Sequence, residues 1–197
     1  ALNFIKSFLI ENNQEEVIYY LGRFSKLIRG SLESSRKDLV TLKEELAIIE
    51  MYTEIESDRF KNNIEYIAEI DDGVSTDAIL IPSLILQPFV ENSIWHGLTT
   101  KSGKKRLIIK VQESEKEDCL KVIVEDNGVG RQASRLKNLQ NPLKGQSLGL
   151  SIVQDRLDFF SKKYHEDFSY TIYDIKDEET GKALGTRVIV NLPKLMV

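Results

Sequence analysis

Three short segments carry side chains that a bound nucleotide could use, and each lies where one predicted element gives way to the next. Residues 84–98 read LILQPFVENSIWHGL, an apolar run interrupted by Glu91 and Asn92. A buried carboxamide without a partner costs about 1–3 kcal/mol, so Asn92 must be hydrogen-bonded, either within a structural network or to a ligand. Residues 125–130 read EDNGVG. Here Asp126 can accept a hydrogen bond from an exocyclic amine, while Gly128 and Gly130 let the backbone turn tightly and approach a ligand. The same residues also make ordinary turns. Residues 144–150 read KGQSLGL. Gly145 and Gly149 at this loop-to-helix junction expose backbone N–H groups and the positive helix end, an arrangement that receives phosphate. Neither G-x-x-x-x-G-K-S/T nor G-x-G-x-x-G is matched, which excludes a P-loop or a Rossmann site.

The elements that must position these groups follow from the period of the apolar residues. Up to about residue 60 the period is helical: Leu2, Ile5, Leu9, then Val17, Leu21, Phe24, Ile28, Leu32, then Leu42, Leu46, Ile49. The third helix is acidic in its first turn, at Glu44 and Glu45, as the helix dipole favours. Such helices, joined by polar breaks at 12–13 and 34–38, form either a cap on the following domain or a homodimeric bundle. After residue 60 the period becomes two at Ile64, Tyr66, Ala68 and Ile70, which predicts a strand ending at the turn Asp71-Asp72-Gly73. Residues 81–98 read as a mostly buried helix opened by Pro82. Residues 107–111 and 120–124 read as a hairpin, 127–147 as a loop with at most a short helix, 148–164 as a helix, and 168–175 and 187–192 as closing strands.

Bulk properties narrow the field. A chain of 197 residues with 41% hydrophobic and 29% charged residues can bury a core and is not disordered. Its net charge of -4 supplies no cationic field for nucleic acid, so no nucleic-acid partner is expected. The lone Cys119, with only His96 and His165 beside it, gives no metal-ligand spacing and reads as a packed thiol in a reducing compartment. His165 lies in a polar stretch and reads as a solvated surface residue. No apolar run reaches the roughly 18 residues of a membrane span, and no signal-peptide pattern is visible. The sequence begins at Ala1, already inside an amphipathic pattern, so a fragment of something longer is expected.

Taken in order, the three segments resemble the ATP site of the GHKL superfamily, and in particular the LytS-type sensor histidine kinases. The resemblance extends over ALNFIKSFL, YYLGRFSKLIRGSL and VTLKEELAIIEMYTEIESDRF, which resemble the helices that follow the phospho-accepting histidine. Its most specific stretch is IPSLILQPFVENSIWHGL. The resemblance implies an α+β chain. Residues 61–197 would form a two-layer α/β sandwich of Bergerat type, a mixed sheet covered by helices, and residues 1–60 a partial dimerisation and phosphoacceptor region. It further implies that Asn92 binds the magnesium bridging the ATP phosphates and that Asp126 receives the adenine amino group. Gly128 and Gly130 would line the nucleotide, Gly145 and Gly149 would flank a mobile lid, and Thr186 in GTRVIV would sit beneath adenine. Glu91 would polarise the acceptor imidazole or orient the magnesium shell, and His96 matches a position near the phosphates. ATP and Mg2+, a homodimeric partner and a response-regulator protein are the implied ligands and partners. The implied setting is the cytoplasmic portion of a bacterial inner-membrane protein, touching the membrane only through segments outside this sequence.

The chain departs from that pattern in three places. The acceptor histidine is absent and is expected upstream of Ala1, so this fragment is not expected to phosphorylate itself. Trp95 stands where many histidine kinases carry a basic residue that contacts phosphate. Ser147 replaces the first glycine of the lid GxG, where Lys144 could supply a phosphate contact. Two alternatives stay open: a GHKL module that binds ATP without kinase activity, and a GHKL ATP hydrolase. The second would place a general-base glutamate where this chain has Pro88, which cannot activate water.

Overall fold

The computed structural model describes residues 14–59, 64–116, 118–131 and 148–196. Two helices come first, α1 (Gln14–Ser35) and α2 (Leu42–Arg59), with a short strand β1 (Leu39–Thr41) between them. The break expected at 34–38 falls where α1 ends; the first predicted helix, at Leu2, Ile5 and Leu9, lies outside the described residues. Strands β2 (Ile64–Ile70) and β3 (Ile79–Pro82) precede the helix α3 (Gln87–Asn92), which runs directly into a π-helical turn at Ser93–Leu98. The remainder comprises β4 (Lys105–Glu113), β5 (Cys119–Asp126), α4 (Leu148–Tyr164), β6 (Ser169–Lys176), β7 (Ala183–Pro193) and β8 (Leu195–Met196).

The main sheet has five strands in the order β2-β4-β5-β7-β6, with β2 parallel to β4 and every other pair antiparallel. It is the mixed sheet of the expected sandwich. Alternation divides its two faces. Leu107, Ile109 and Val111 of β4, Leu120, Val122 and Val124 of β5, and Val188, Val190 and Leu192 of β7 are buried against the helices. On the opposite face Arg106, Lys110 and Arg187 pair with Glu65, Glu69 and Glu125 of the neighbouring strands. The helical layer returns Phe89, Ile94, Val153, Leu157 and Phe160 to the same core. Leu42, Leu46 and Ile49 of α2 also join it, so residues on both sides of position 60 share one core. The other face of α2, with Ile48 and Ile55, packs on Tyr20 and Leu27 of α1.

Residues 81–98 differ from the expected single helix. Pro82 closes a strand: proline favours an extended residue before it, and Ile81 is central in the antiparallel pairing of β3 with β1. Strands β1, β3 and β8 form a small second sheet that the hydrophobic period did not announce. The helix begins only at Gln87, and Pro88, not Pro82, occupies its first turn.

Between strand and helix the chain turns through Leu84, at φ 53°, and this junction is fastened by a carboxylate from α2. Glu45 is fully buried and accepts the amides of Leu84 at 2.8 Å and Leu86 at 2.9 Å, with that of Gln87 a further donor. Burial holds its carboxyl above the usual range, against the pull of those amides. Next to it Ser83 Oγ donates to the Lys37 carbonyl at 2.7 Å and accepts from Arg156 of α4 at 2.7 Å. Helix α3 is thus capped from another element rather than by its own N-cap residue. Replacing Glu45→Ala leaves buried amides without an acceptor, at about 1–3 kcal/mol each. Urea denaturation is expected to register a loss of about 3 kcal/mol or more, and an unchanged midpoint would show that the cap contributes nothing.

Candidate functional site

Asp126 ends the central strand β5, and the surroundings of its side chain define the site. It is 2% exposed and directly faces Thr186 of β7 in the sheet register. Its Oδ1 accepts the amide of Gly128 at 2.8 Å, and the carboxylate also receives the Ser93 hydroxyl and the Thr186 amide. Burial, against these donors, pushes its pKa up to about 6. Ser93 follows Asn92 directly, so the Ser93 bond ties the helix bearing Asn92 to the turn that begins at Asp126.

That helix lies on the turn with backbone against backbone. A Cβ on Gly128 would stand 2.5 Å from the Cα of Gly97, and one on Gly97 would stand 2.7 Å from Asp126 Oδ1. Neither fits. The contact is closed by the amide of Val129 donating to the Gly97 carbonyl at 3.1 Å. On the far side a Cβ on Gly185 would collide with the Asp126 carbonyl oxygen at 1.9 Å. The helix adopts its π-helical turn where Gly97 meets Asp126, and such turns often accompany functional sites.

The other expected residues fall around this contact. Asn92 is half-buried at the end of α3, where the π-helical turn begins. Glu91 accepts a 2.7 Å hydrogen bond from Gln87, and its charge acts on Tyr52 and Glu56 of α2, so it stands on the α2 side. His96 is half-buried next to Gly97. Gly130 takes φ 78° against Ala183, and Arg131 after it makes a two-pronged pair with Asp174 at 2.7 and 3.0 Å, which fixes Arg131 on β6. Gly149 is in the first turn of α4, 3.9 Å from Pro88 in Cβ terms, an ordinary contact that any small residue could make. Lys144, Gly145 and Ser147 lie outside the described residues.

Ser93, Gly97, Gly185 and Asn127 were not singled out from the sequence. Asn127 Oδ1 accepts the Arg106 amide at 2.8 Å and its Nδ2 donates to the Lys104 carbonyl at 3.2 Å, so it staples the 101–106 loop beside the site. Gly97 did carry a signal, a glycine inside an apolar helical run. The expected packing of Cys119 and exposure of His165 both hold.

Comparison with known proteins shows what the chain is similar to in sequence and in fold. Residues 1–64 match the family described as histidine kinase, and residues 77–196 match the family of histidine kinase-, DNA gyrase B-, and HSP90-like ATPases. The chain is 29% identical over 182 residues to the sensor histidine kinase YesM of Bacillus subtilis, covering 92% of this chain and 28% of that one. It is 37% identical over 139 residues to the sensor protein LytS of Staphylococcus epidermidis, covering 71% and 23%. It therefore spans about a quarter of the length of these relatives. In fold it is similar to the histidine kinase domain of a blue-light activated histidine kinase from Erythrobacter litoralis, with a TM-score of 0.55 at 16% identity, covering 89% of this chain and 75% of that one. It is also similar to the mycobacterial sensor histidine kinase MprB, with a TM-score of 0.51 at 16% identity, covering 81% and 98%.

Two outcomes test the geometry itself. Gly128→Ala overpacks the contact with Gly97 and is expected to cost about 1–3 kcal/mol, a fall of roughly 2–12 °C in melting temperature. Asp126 has a folded pKa of about 6, against about 3.9 for a free aspartate. Between these values the folded chain holds the extra proton. The stability this carboxyl contributes is therefore full below about pH 4 and is lost as pH rises through 6. A carbon-detected NMR titration should place its midpoint near 6, and a midpoint near 4 would contradict the burial argument.

Proposed function

Because this chain belongs to the family of histidine kinase-, DNA gyrase B-, and HSP90-like ATPases, we propose that it is the catalytic fragment of a two-component sensor histidine kinase. On this reading it binds Mg-ATP and transfers the γ-phosphoryl group to a histidine outside this sequence. One observation carries the reading: a buried carboxylate, Asp126, is tied through Ser93 to the helix that bears Asn92. Asp126 accepts the adenine amino group, Thr186 and Gly128 shape the base pocket, and Gly130 lets the chain leave it. Asn92 and His96 face the phosphates, Gly145 and Gly149 flank a lid, and Lys144 supplies a phosphate contact. This division of labour gives residues 61–197 the nucleotide and residues 1–60 the dimer, with α2 sharing the cores of both.

A magnesium ion would arrive on the nucleotide and be held by Asn92, offsetting charge between the phosphates. No group of three or more His, Cys, Asp or Glu suited to a metal occurs among the described residues. A magnesium held largely by phosphates and water requires no such group. The imidazole nitrogen attacks the γ-phosphorus as the bond to the ADP oxygen breaks, and the phosphoryl group later passes to an aspartate of a response-regulator protein. Glu91, held by Gln87 on the α2 side, polarises the incoming imidazole or orients the magnesium shell. Most of the catalytic effect is positioning, since phosphoryl transfer asks little covalent chemistry of the protein.

The homodimer is supported by α1. Its face away from α2 exposes Ile18 at 71%, Leu21 at 40%, Ile28 at 44% and Leu32 at 59%, at the spacing of a helix-bundle seam. No helix among the described residues is long and apolar enough to cross a membrane. We propose that attachment to a bacterial inner membrane runs through segments outside this sequence.

Calorimetry with Mg-ATP is expected to show binding that Asn92→Ala and Asp126→Ala each weaken at least tenfold, or about 1.4 kcal/mol. Unchanged affinity in both variants removes the site. Affinity should also fall as pH drops through about 6, where a proton on Asp126 competes with the adenine amine. A protein extended upstream through the histidine should form acid-labile phosphohistidine from labelled ATP. Binding without that product would instead favour the module that lacks kinase activity. Sedimentation should give a dimer that Ile28→Glu with Leu32→Glu dissociates; a wild-type monomer at high concentration would make the helices a cap.

A further inference from the structure

A nucleotide triphosphate carries more negative charge than one magnesium offsets, so a site that holds it requires a further cation near the phosphates. The helix bearing Asn92 adds the opposite charge, from Glu91, and Glu56 of α2 stands near enough to feel it. Trp95, one turn beyond Asn92, carries no charge. It is 37% exposed, and its Nε1 donates to the Tyr52 hydroxyl of α2 at 3.0 Å. Over its ring lies Arg59, in the last turn of α2, with the guanidinium carbon 4.5 Å from the ring centroid. Arg59 Nη1 is 3.4 Å from a Glu56 carboxylate oxygen.

The guanidinium is planar, and the contact with the ring holds it beside the asparagine helix. The donors in that plane form a fork suited to two oxygens of one phosphate, and the weak hydration of arginine lets it work next to an aromatic face. The Trp95–Tyr52 hydrogen bond already fastens α2 to the asparagine helix, so a clamp between them does not require Arg59. We propose that Arg59, held on the Trp95 ring, is a cation that binds the outer phosphates beside Asn92, where the asparagine helix itself supplies none. The proposal rests on the Mg-ATP reading above. Sequence spacing alone could not reveal it, because Arg59 belongs to the helical half of the chain and meets Trp95 only through the fold.

The test compares nucleotides that differ in their outer phosphates, using the 197-residue chain. Arg59→Gln keeps a planar group for the indole and a donor for Glu56 while removing the charge. It is expected to weaken Mg-ATP binding at least tenfold by calorimetry and AMP binding less than twofold by NMR titration, with an unchanged thermal midpoint. Arg59→Lys, which keeps the charge but loses the planar fork, should lose less Mg-ATP affinity than Arg59→Gln without matching wild type. Arg59→Gln combined with Trp95→Lys, which returns a cation directly to the asparagine helix, should recover most of the loss. If Arg59→Gln keeps its Mg-ATP affinity, or loses ATP and AMP equally, the assignment is overturned while the ATP site stands. If the wild-type chain binds neither nucleotide, the Mg-ATP reading itself fails and takes this assignment with it.

Discussion

The structure depends on a contact in which two backbones touch without side chains between them. Gly97 of the π-helical turn lies directly on Gly128, and the Asp126 carboxylate fills the remaining space beneath. Each Cβ that could occupy that space is missing, and the groups present are joined by hydrogen bonds from Val129, Gly128 and Ser93. A carboxylate buried this way is costly to ionise, as its raised pKa records. The fold tolerates the cost because the donors that compensate it are main-chain groups of a sheet and a turn, which cannot easily move away. An exposed aspartate would meet water as readily as a ligand; one behind the helix can select a donor of fitting shape.

Around that contact, α2 acts as the spine. Its residues Glu45, Tyr52, Glu56 and Arg59 recur at helical spacing and meet the junction before α3, the Trp95 ring and the neighbourhood of Glu91. Leu42, Leu46 and Ile49 sink into the core of the sheet, while Ile48 and Ile55 hold α1. With apolar residues on two faces and polar contacts between them, this helix leaves solvent one stripe, Lys43, Ala47, Glu50 and Glu54. The element that carries the exposed seam of α1 is therefore packed on the same helix that caps and brackets the asparagine helix.

The two faces of the main sheet divide the remaining tasks. The inner face is continuous with the helical core and holds Asp126 at its rim. The outer face carries cross-strand pairs between opposite charges, each exposed and individually worth little, which keep that surface wet. Edge strands β2 and β6 bear half-exposed side chains, and Arg131 after Gly130 is fastened onto β6.

The sequence by itself determined the alternation of β4, β5 and β7, the span of α4, the helical character of α1 and α2, and the two segments, 84–98 and 125–130, that meet at Asp126. These are set by local period and by residue type, which act within a few positions of the chain. It could not determine where the 81–98 segment becomes helical, because an apolar run with a proline reads alike as a strand end or a helix start. That choice was made by pairing with β1 and by the distant carboxylate of Glu45. Nor could it show that Gly97, Gly128 and Gly185 meet around one aspartate, or that Arg59 lies on Trp95. Those contacts join residues far apart in the chain, and only the closing of the core against the sheet brings them within reach.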